Sequence, residues 1–335
     1  MKWLSDQALD RLRAAADAPD LSGTGYVLID KLGSGGMSGV FRVTDTALGR
    51  EVALKVLGIE DSSGELGARL LREAKIIAQL EHPGIVPVHD VGTLPDGRVF
   101  YTMKLVQGLR LDQQREELGG LPERLRTFQK ICEAVSFAHA RHVLHRDLKP
   151  QNVMVGPFGE VLVMDWGLAK LLDPGVLAEE KMVPKIAESG RTLPGQDASD
   201  TQSPEADTAH GVVLGTPGYM APEQARGEIE AVGPRADIYS LGAVLKFLIE
   251  GTQGTPKALA AIAGKAMAED VQQRYGSVEE LAHDIAHYLD GAPVSAYPEG
   301  AMTRMWRWMV KNSAWLLLIL AYLVMRALLI LWRAR

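Results

Sequence analysis

The hydrophobic period of the chain changes once, and that change limits the fold more than any other feature. Between Tyr26 and Val106 the apolar residues fall in short β-type runs at 26–32, 40–44, 51–57, 85–91 and 99–105. Glycines and the turn Pro95-Asp96-Gly97 separate them. One helix-period stripe interrupts the runs at 65–80, where Leu66, Leu70, Ala74, Ile77 and Leu80 share a face. From Leu121 to Leu289 helical spacing dominates, most clearly over 121–141, 235–249, 256–267 and 278–289. The last of these opens on Ser277 and Glu280, the spacing of a capping box. A β-rich half followed by a helical half predicts an α+β protein of two lobes.

Composition excludes several alternatives. A net charge of −6 over 335 residues is a poor match to tracking a phosphate backbone, so nucleic acid is not an expected partner. The single cysteine, Cys132, rules out an internal disulfide and a multi-cysteine zinc site. The first twenty residues lack the continuous apolar core of a signal peptide. Trp3, Leu4, Ala8, Leu9, Leu12 and Ala15 instead predict a short amphipathic helix within an N-terminal extension, residues 1–25, that caps the following domain.

The chemistry-bearing residues occur in order along the chain. Leu32-Gly33-Ser34-Gly35-Gly36-Met37-Ser38-Gly39-Val40 lies between two predicted strands, where glycines let backbone N–H groups approach phosphate oxygens. No Gly-Lys-Ser/Thr follows, so it is not a Walker-type loop. Lys55, in Val52-Ala53-Leu54-Lys55, is a charge among apolar strand residues and calls for an anionic partner, for which Glu73 on the next helix is placed. In His145-Arg146-Asp147-Leu148-Lys149-Pro150-Gln151-Asn152, Pro150 blocks a helix. Asp147 and Asn152 there supply a proton acceptor and a metal-binding oxygen. Asp165-Trp166-Gly167 adds a second oxygen ligand on a tight turn, and Gly215-Thr216-Pro217-Gly218-Tyr219-Met220-Ala221-Pro222-Glu223 closes the segment.

These five elements, in this order, resemble the signature set of protein kinases, and Lys149 together with Gly215-Thr216-Pro217 resembles the serine/threonine-specific, Hanks-type branch of bacteria. The resemblance covers residues 26–290 and implies a two-lobed kinase fold, with an N-lobe at 26–106 and a C-lobe at 107–290. It implies ATP and Mg2+ as cofactors and protein hydroxyls as substrates. Leu32, Gly33, Ser34, Gly35 and Gly36 would cover the ATP phosphates. Val40 and Ala53 would sandwich the adenine, with Met103 as gatekeeper and Val106 at the end of the hinge. Lys55, paired with Glu73, would hold phosphate. Asp147 would receive the substrate proton, Lys149 would steady the γ-phosphate, and Asn152 and Asp165 would bind magnesium. Glu223 would pair with Arg274, and Asp237 would brace the catalytic loop.

The chain also departs from the family pattern. Ser38 stands where a third loop glycine is usual, and Trp166 replaces a phenylalanine. Asp165 and Glu223 are 58 positions apart, with a polar insertion at 171–214 carrying 8 acidic and 3 basic side chains. One or more of Thr201, Ser203 and Thr208 in it is the expected autophosphorylation site, its phosphate docking on Arg146, and modification in trans would favour a transient homodimer. A C-lobe helix usual between 249 and 256 has no sequence to form it. Finally, a juxtamembrane stretch at 291–312 leads to 313–332, SAWLLLILAYLVMRALLILW, about the length that spans a bilayer. Trp306, Trp308, Trp315 and Trp332 flank it as interfacial aromatics. The expected arrangement is a single pass with the kinase in the cytoplasm. The rival reading is a membrane-anchored pseudokinase acting as an ATP-binding scaffold; the joint presence of Lys55, Glu73, Asp147, Asn152 and Asp165 favours the enzyme.

Overall fold

The computed structural model describes residues 18–34, 38–58, 64–166, 170–171, 216, 218–228, 232–251 and 254–298, with scattered positions between 309 and 332. The predicted N-terminal helix, Gly35, Gly36 and the insertion with Thr201, Ser203 and Thr208 lie outside the described residues.

In the N-lobe, β1 (Tyr26–Ser34), β2 (Ser38–Asp45), β3 (Arg50–Leu57), β4 (Val88–Thr93) and β5 (Val99–Lys104) form an antiparallel sheet in the order β1-β2-β3-β5-β4. The period-two alternation of β3 sorts its side chains. Val52, Leu54 and Val56 join Phe41, Val43 and Phe100 in a cluster on the outer face. Ala53 and Leu57 face the opposite way, into the main core, and carry Lys55 with them. On β5 the same rule puts Phe100 outside and Tyr101 and Met103 inside. Helix α1 (Glu65–Ala78) covers that inner face with Leu70, Ala74 and Ile77. Each large apolar side chain so buried contributes about 1.5–3 kcal/mol. The predicted strand at 85–91 starts later than its sequence suggests, at Val88. Ile85 instead forms an isolated parallel bridge to Val163 that ties the two lobes together.

Below the hinge come β6 (Leu109–Arg110), α2 (Leu111–Gln114), α3 (Leu121–Ala140) and β7 (Val143–Leu144). They are followed by β8 (Val153–Val155), β9 (Val161–Val163) and β10 (Lys170–Leu171). A Cβ at Gly108 would stand 2.3 Å from the Val155 carbonyl oxygen, so the hinge can drop onto β8 only with glycine there. The remaining helices are α4 (Pro222–Ala225), α5 (Pro234–Ile249), α6 (Lys257–Ala266) and α7 (Val278–Leu289). Among the described residues the turn from α5 to α6 contains no further helix, as the sequence implied. Contact is close enough that a Cβ on Gly242 would meet Ala266 Cβ at 2.7 Å. The capping box of α7 is half as expected: Ser277 Oγ accepts from Glu280 N–H, but Glu280 returns its bond to Gly276 N–H.

The stretch read as juxtamembrane from 291 begins as part of the C-lobe. Val294 is buried in the core, and the buried Asp284 carboxylate accepts from Ser295 N–H, Ser295 Oγ, Ala296 N–H and the Tyr275 hydroxyl. Trp315, Leu318, Ile319, Leu323, Val324, Met325, Ile330 and Trp332 are helical and exposed. Among the described residues no helix is long and apolar enough to cross a membrane.

Candidate active site

A cleft of about 850 Å³ separates the lobes. Leu32, Gly33, Val40, Ala53 and Lys55 line its roof, and Met103 and Val106 its back. Asp147, Asn152 and Asp165 line its floor. All the predicted cleft residues that are described therefore meet in one cavity except Lys149 and Ser34. Lys149 stands beside Asp147, and Ser34 ends β1 opposite Gly39. Register builds the roof, since Val40 pairs with Lys55 and Ala53 pairs with Met103.

Lys55 Nζ donates to Glu73 Oε1 at 2.8 Å and to Asp165 Oδ1 at 3.1 Å. Burial works against the Lys55 ammonium, but Glu73 and then Asp165 outweigh it and hold its pKa above the ordinary lysine value. Glu73 is delivered by α1, on the same buried face as Leu70, Ala74 and Ile77. Asp165 has φ 58°, a left-handed backbone that a non-glycine residue adopts only when its surroundings compel it. Here Trp166 supplies the compulsion: it is buried, donates Nε1–H to Val163 O and packs its ring 4.6 Å from that of His145.

The floor is set by a buried carboxylate. Asp237 accepts from the backbone N–H groups of His145 and Arg146, at 2.9 and 2.8 Å, and from His139 Nε2 at 2.8 Å. Burial raises its pKa, but the His139 bond and the neighbouring donors more than offset this and keep it below the ordinary aspartate value. Arg146, at φ 68°, is turned so that Asp147 points to the cleft. Lys149 Nζ donates to Asp147 Oδ2 and to Thr216 Oγ1, both at 2.7 Å, and Thr216 Oγ1 donates to Asp147 Oδ1 at 3.1 Å. Asn152 Nδ2 donates to the Asp147 carbonyl, which points its amide the other way for oxygen ligation. Glu223 and Arg274 form a bidentate pair at 2.7 and 2.8 Å, both side chains buried.

A family model described as the protein kinase domain matches residues 26–286. The chain belongs to the protein kinase family. Within it the similarity is to the Hanks-type serine/threonine kinases of bacteria. The serine/threonine-protein kinase PknD of Protochlamydia amoebophila is 34% identical over 310 residues, covering 79% of this chain and 30% of that protein. The PknD of Chlamydia muridarum is 37% identical over 308 residues, covering 79% and 32%. The chain thus spans about a third of the length of these curated relatives. Crystal structures of the Mycobacterium tuberculosis PknI kinase domain share the fold, with TM-scores of 0.54 and 0.55 at 23% identity. They cover 81% and 83% of this chain and 98% and 99% of theirs.

The family works on ATP with Mg2+, and the cleft's donor set fits both. Asp165 and Asn152 are hard oxygen donors at one end, suited to an ion that takes its remaining ligands from phosphate and water. Three members of the site escaped sequence reasoning. Thr216 stood inside a quoted motif but showed its partner only in three dimensions. His139 lies 98 positions from Asp237. Tyr101 shares a strand face with Met103, which is the one signal that could have placed it in the cleft wall.

Proposed function

We propose that this chain is an ATP-dependent protein serine/threonine kinase tethered to a membrane through residues 313–332. The observation that carries the activity is the convergence of Lys55, Glu73 and Asp165 from one side, and Asp147, Lys149 and Thr216 from the other, on a single cleft. Asp147 is aimed by its three side-chain donors to take the proton of an incoming hydroxyl. Lys149 and Lys55 provide positive charge on either side of the transferred group. Asn152 and Asp165 would hold magnesium, which when bound neutralises phosphate charge. Catalysis by such residues is positioning and charge compensation rather than covalent chemistry.

Autophosphorylation within 171–214, at Thr201, Ser203 or Thr208, is the proposed regulation. It is supported by Arg146, whose Nε and one Nη are buried with no hydrogen-bond partner among the described residues. A phosphate is the natural ligand for such a guanidinium. The tether is supported by the apolar run and its tryptophans, and by the exposure of the apolar side chains described there. The test is transfer from radiolabelled ATP to a protein acceptor by the purified full chain. Label should appear on serine or threonine and vanish in Asp147→Asn. Equal label on both proteins would refute the assignment, and release of the chain into an alkaline carbonate wash without detergent would refute the tether.

A further inference from the structure

The Lys55–Glu73 pair has a third member that belongs to neither helix nor roof. Tyr101 sits in the middle of β5 and is buried at 2% exposure. Its hydroxyl donates at 2.9 Å to Glu73 Oε1, the same oxygen that receives Lys55 Nζ at 2.8 Å. The ring lies beneath the lysine, with Nζ 5.9 Å from its centroid. Burial, followed by the charge of Glu73, pushes the phenol's pKa well above its usual value, so the hydroxyl keeps its proton and remains a donor. The bond runs between α1, which carries Glu73, and β5, which is paired on both sides within the sheet.

This has a mechanical consequence. Lys55 is a long, flexible cation whose other contact is Asp165, so it can turn toward a ligand in the cleft. If Lys55 were the only hold on Glu73, each such turn would release the carboxylate, and with it the polar anchor of α1. A tyrosine fixed in the sheet keeps Glu73 in place whichever way Lys55 points. In the kinase family the lysine–glutamate pair has to be assembled before transfer, and helix position is a common point of control. We propose that Tyr101 is a positioning residue that latches α1 to the sheet through Glu73, so that Glu73 stays in place when Lys55 turns toward a ligand.

The inference rests on reading the cleft as an ATP site, and the experiment separates the two. In the full chain without nucleotide, Tyr101→Phe keeps the ring and removes only the bond. Hydrogen exchange of amides in Glu65–Ala78 should quicken about three- to tenfold, the size expected for one buried hydrogen bond, while β3 and β5 stay at wild-type rates. The dissociation constant of a fluorescent ATP analogue with Mg2+ should rise by a similar factor, with the thermal midpoint of the C-lobe unchanged. Unaltered exchange in α1, or a quickening spread evenly through the N-lobe, would overturn the latch. Should Tyr101→Phe fail to fold, Glu73→Gln and Glu73→Ala decide the matter. Glutamine still accepts from Tyr101 and should leave α1 near its wild-type exchange, whereas alanine should loosen it. Equal loosening by both would assign the hold to Lys55 and remove Tyr101 from it. A wild-type chain that does not bind the analogue would overturn the ATP reading and leave the exchange comparison intact.

Discussion

Two buried ion pairs face different futures in this molecule. Arg274 has no exposed side-chain surface, and its guanidinium is saturated: it reaches both oxygens of Glu223 and the carbonyls of Ala268, Arg235 and Glu269. Lys55 keeps 13% of its side chain exposed, borders the cleft and divides itself between two carboxylates. A saturated pair can only hold structure, whereas a divided one can give up a partner to a ligand. The difference separates the residues whose loss should unfold the protein from those whose loss should silence it.

The largest expected effect is on the silent side. Asp147→Asn should lower phosphoryl transfer by about two to four orders of magnitude, as for loss of a positioned proton acceptor, with the unfolding midpoint unchanged. Steady-state kinetics beside calorimetry would read it, and a fall in both quantities would blur the distinction between residues that hold the fold and residues that serve the cleft. Next, Glu223→Gln should cost about 3–5 kcal/mol of stability, because it strands a buried guanidinium; chemical denaturation measures this. Retained stability would mean that Arg274 is satisfied by the backbone alone.

Acid should act on the same pair. Burial raises the Glu223 pKa, but Arg274 more than offsets it and holds the carboxyl below its ordinary value. A depressed folded-state pKa adds stability that is complete above the unfolded value, about 4.3, and is lost as pH falls through the folded one. Thermal midpoints should therefore drop below about pH 4, and less steeply in Glu223→Gln than in wild type. The smallest effect belongs to Arg146→Ala. Removing a guanidinium whose buried nitrogens have no partner among the described residues should shift unfolding by less than about 1 kcal/mol, yet abolish any gain in transfer that accompanies phosphorylation of the insertion.

Much of this was legible in the chain. The two-lobed division followed from the change of period, and most of the cleft from the resemblance carried by motifs in fixed order; within it a strand's alternation sends Ala53, Lys55 and Leu57 to one face whatever the rest does. What stayed hidden is what contact alone decides. Thr216 meets Asp147 across 69 positions and Tyr101 meets Glu73 across 28, and nothing in the local pattern of a threonine or a strand tyrosine announces such a partner. The late start of β4 has a similar cause: Ile85 is apolar enough for a strand, but it is used to tie the lobes through Val163.

The strap fastened by Asp284 sets a length scale. With Ser295 and Ala296 held on the C-lobe, sixteen residues separate Ala296 from Ser313, a chain length that can span at most roughly 55 Å. Under the proposed tether, the kinase would search a small hemisphere against one patch of bilayer. A target anchored within that hemisphere would meet it at an effective concentration approaching millimolar, a regime in which weak peptide contacts suffice. A C-lobe whose described residues between α5 and α6 hold no extra helix would then choose its targets by address more than by docking.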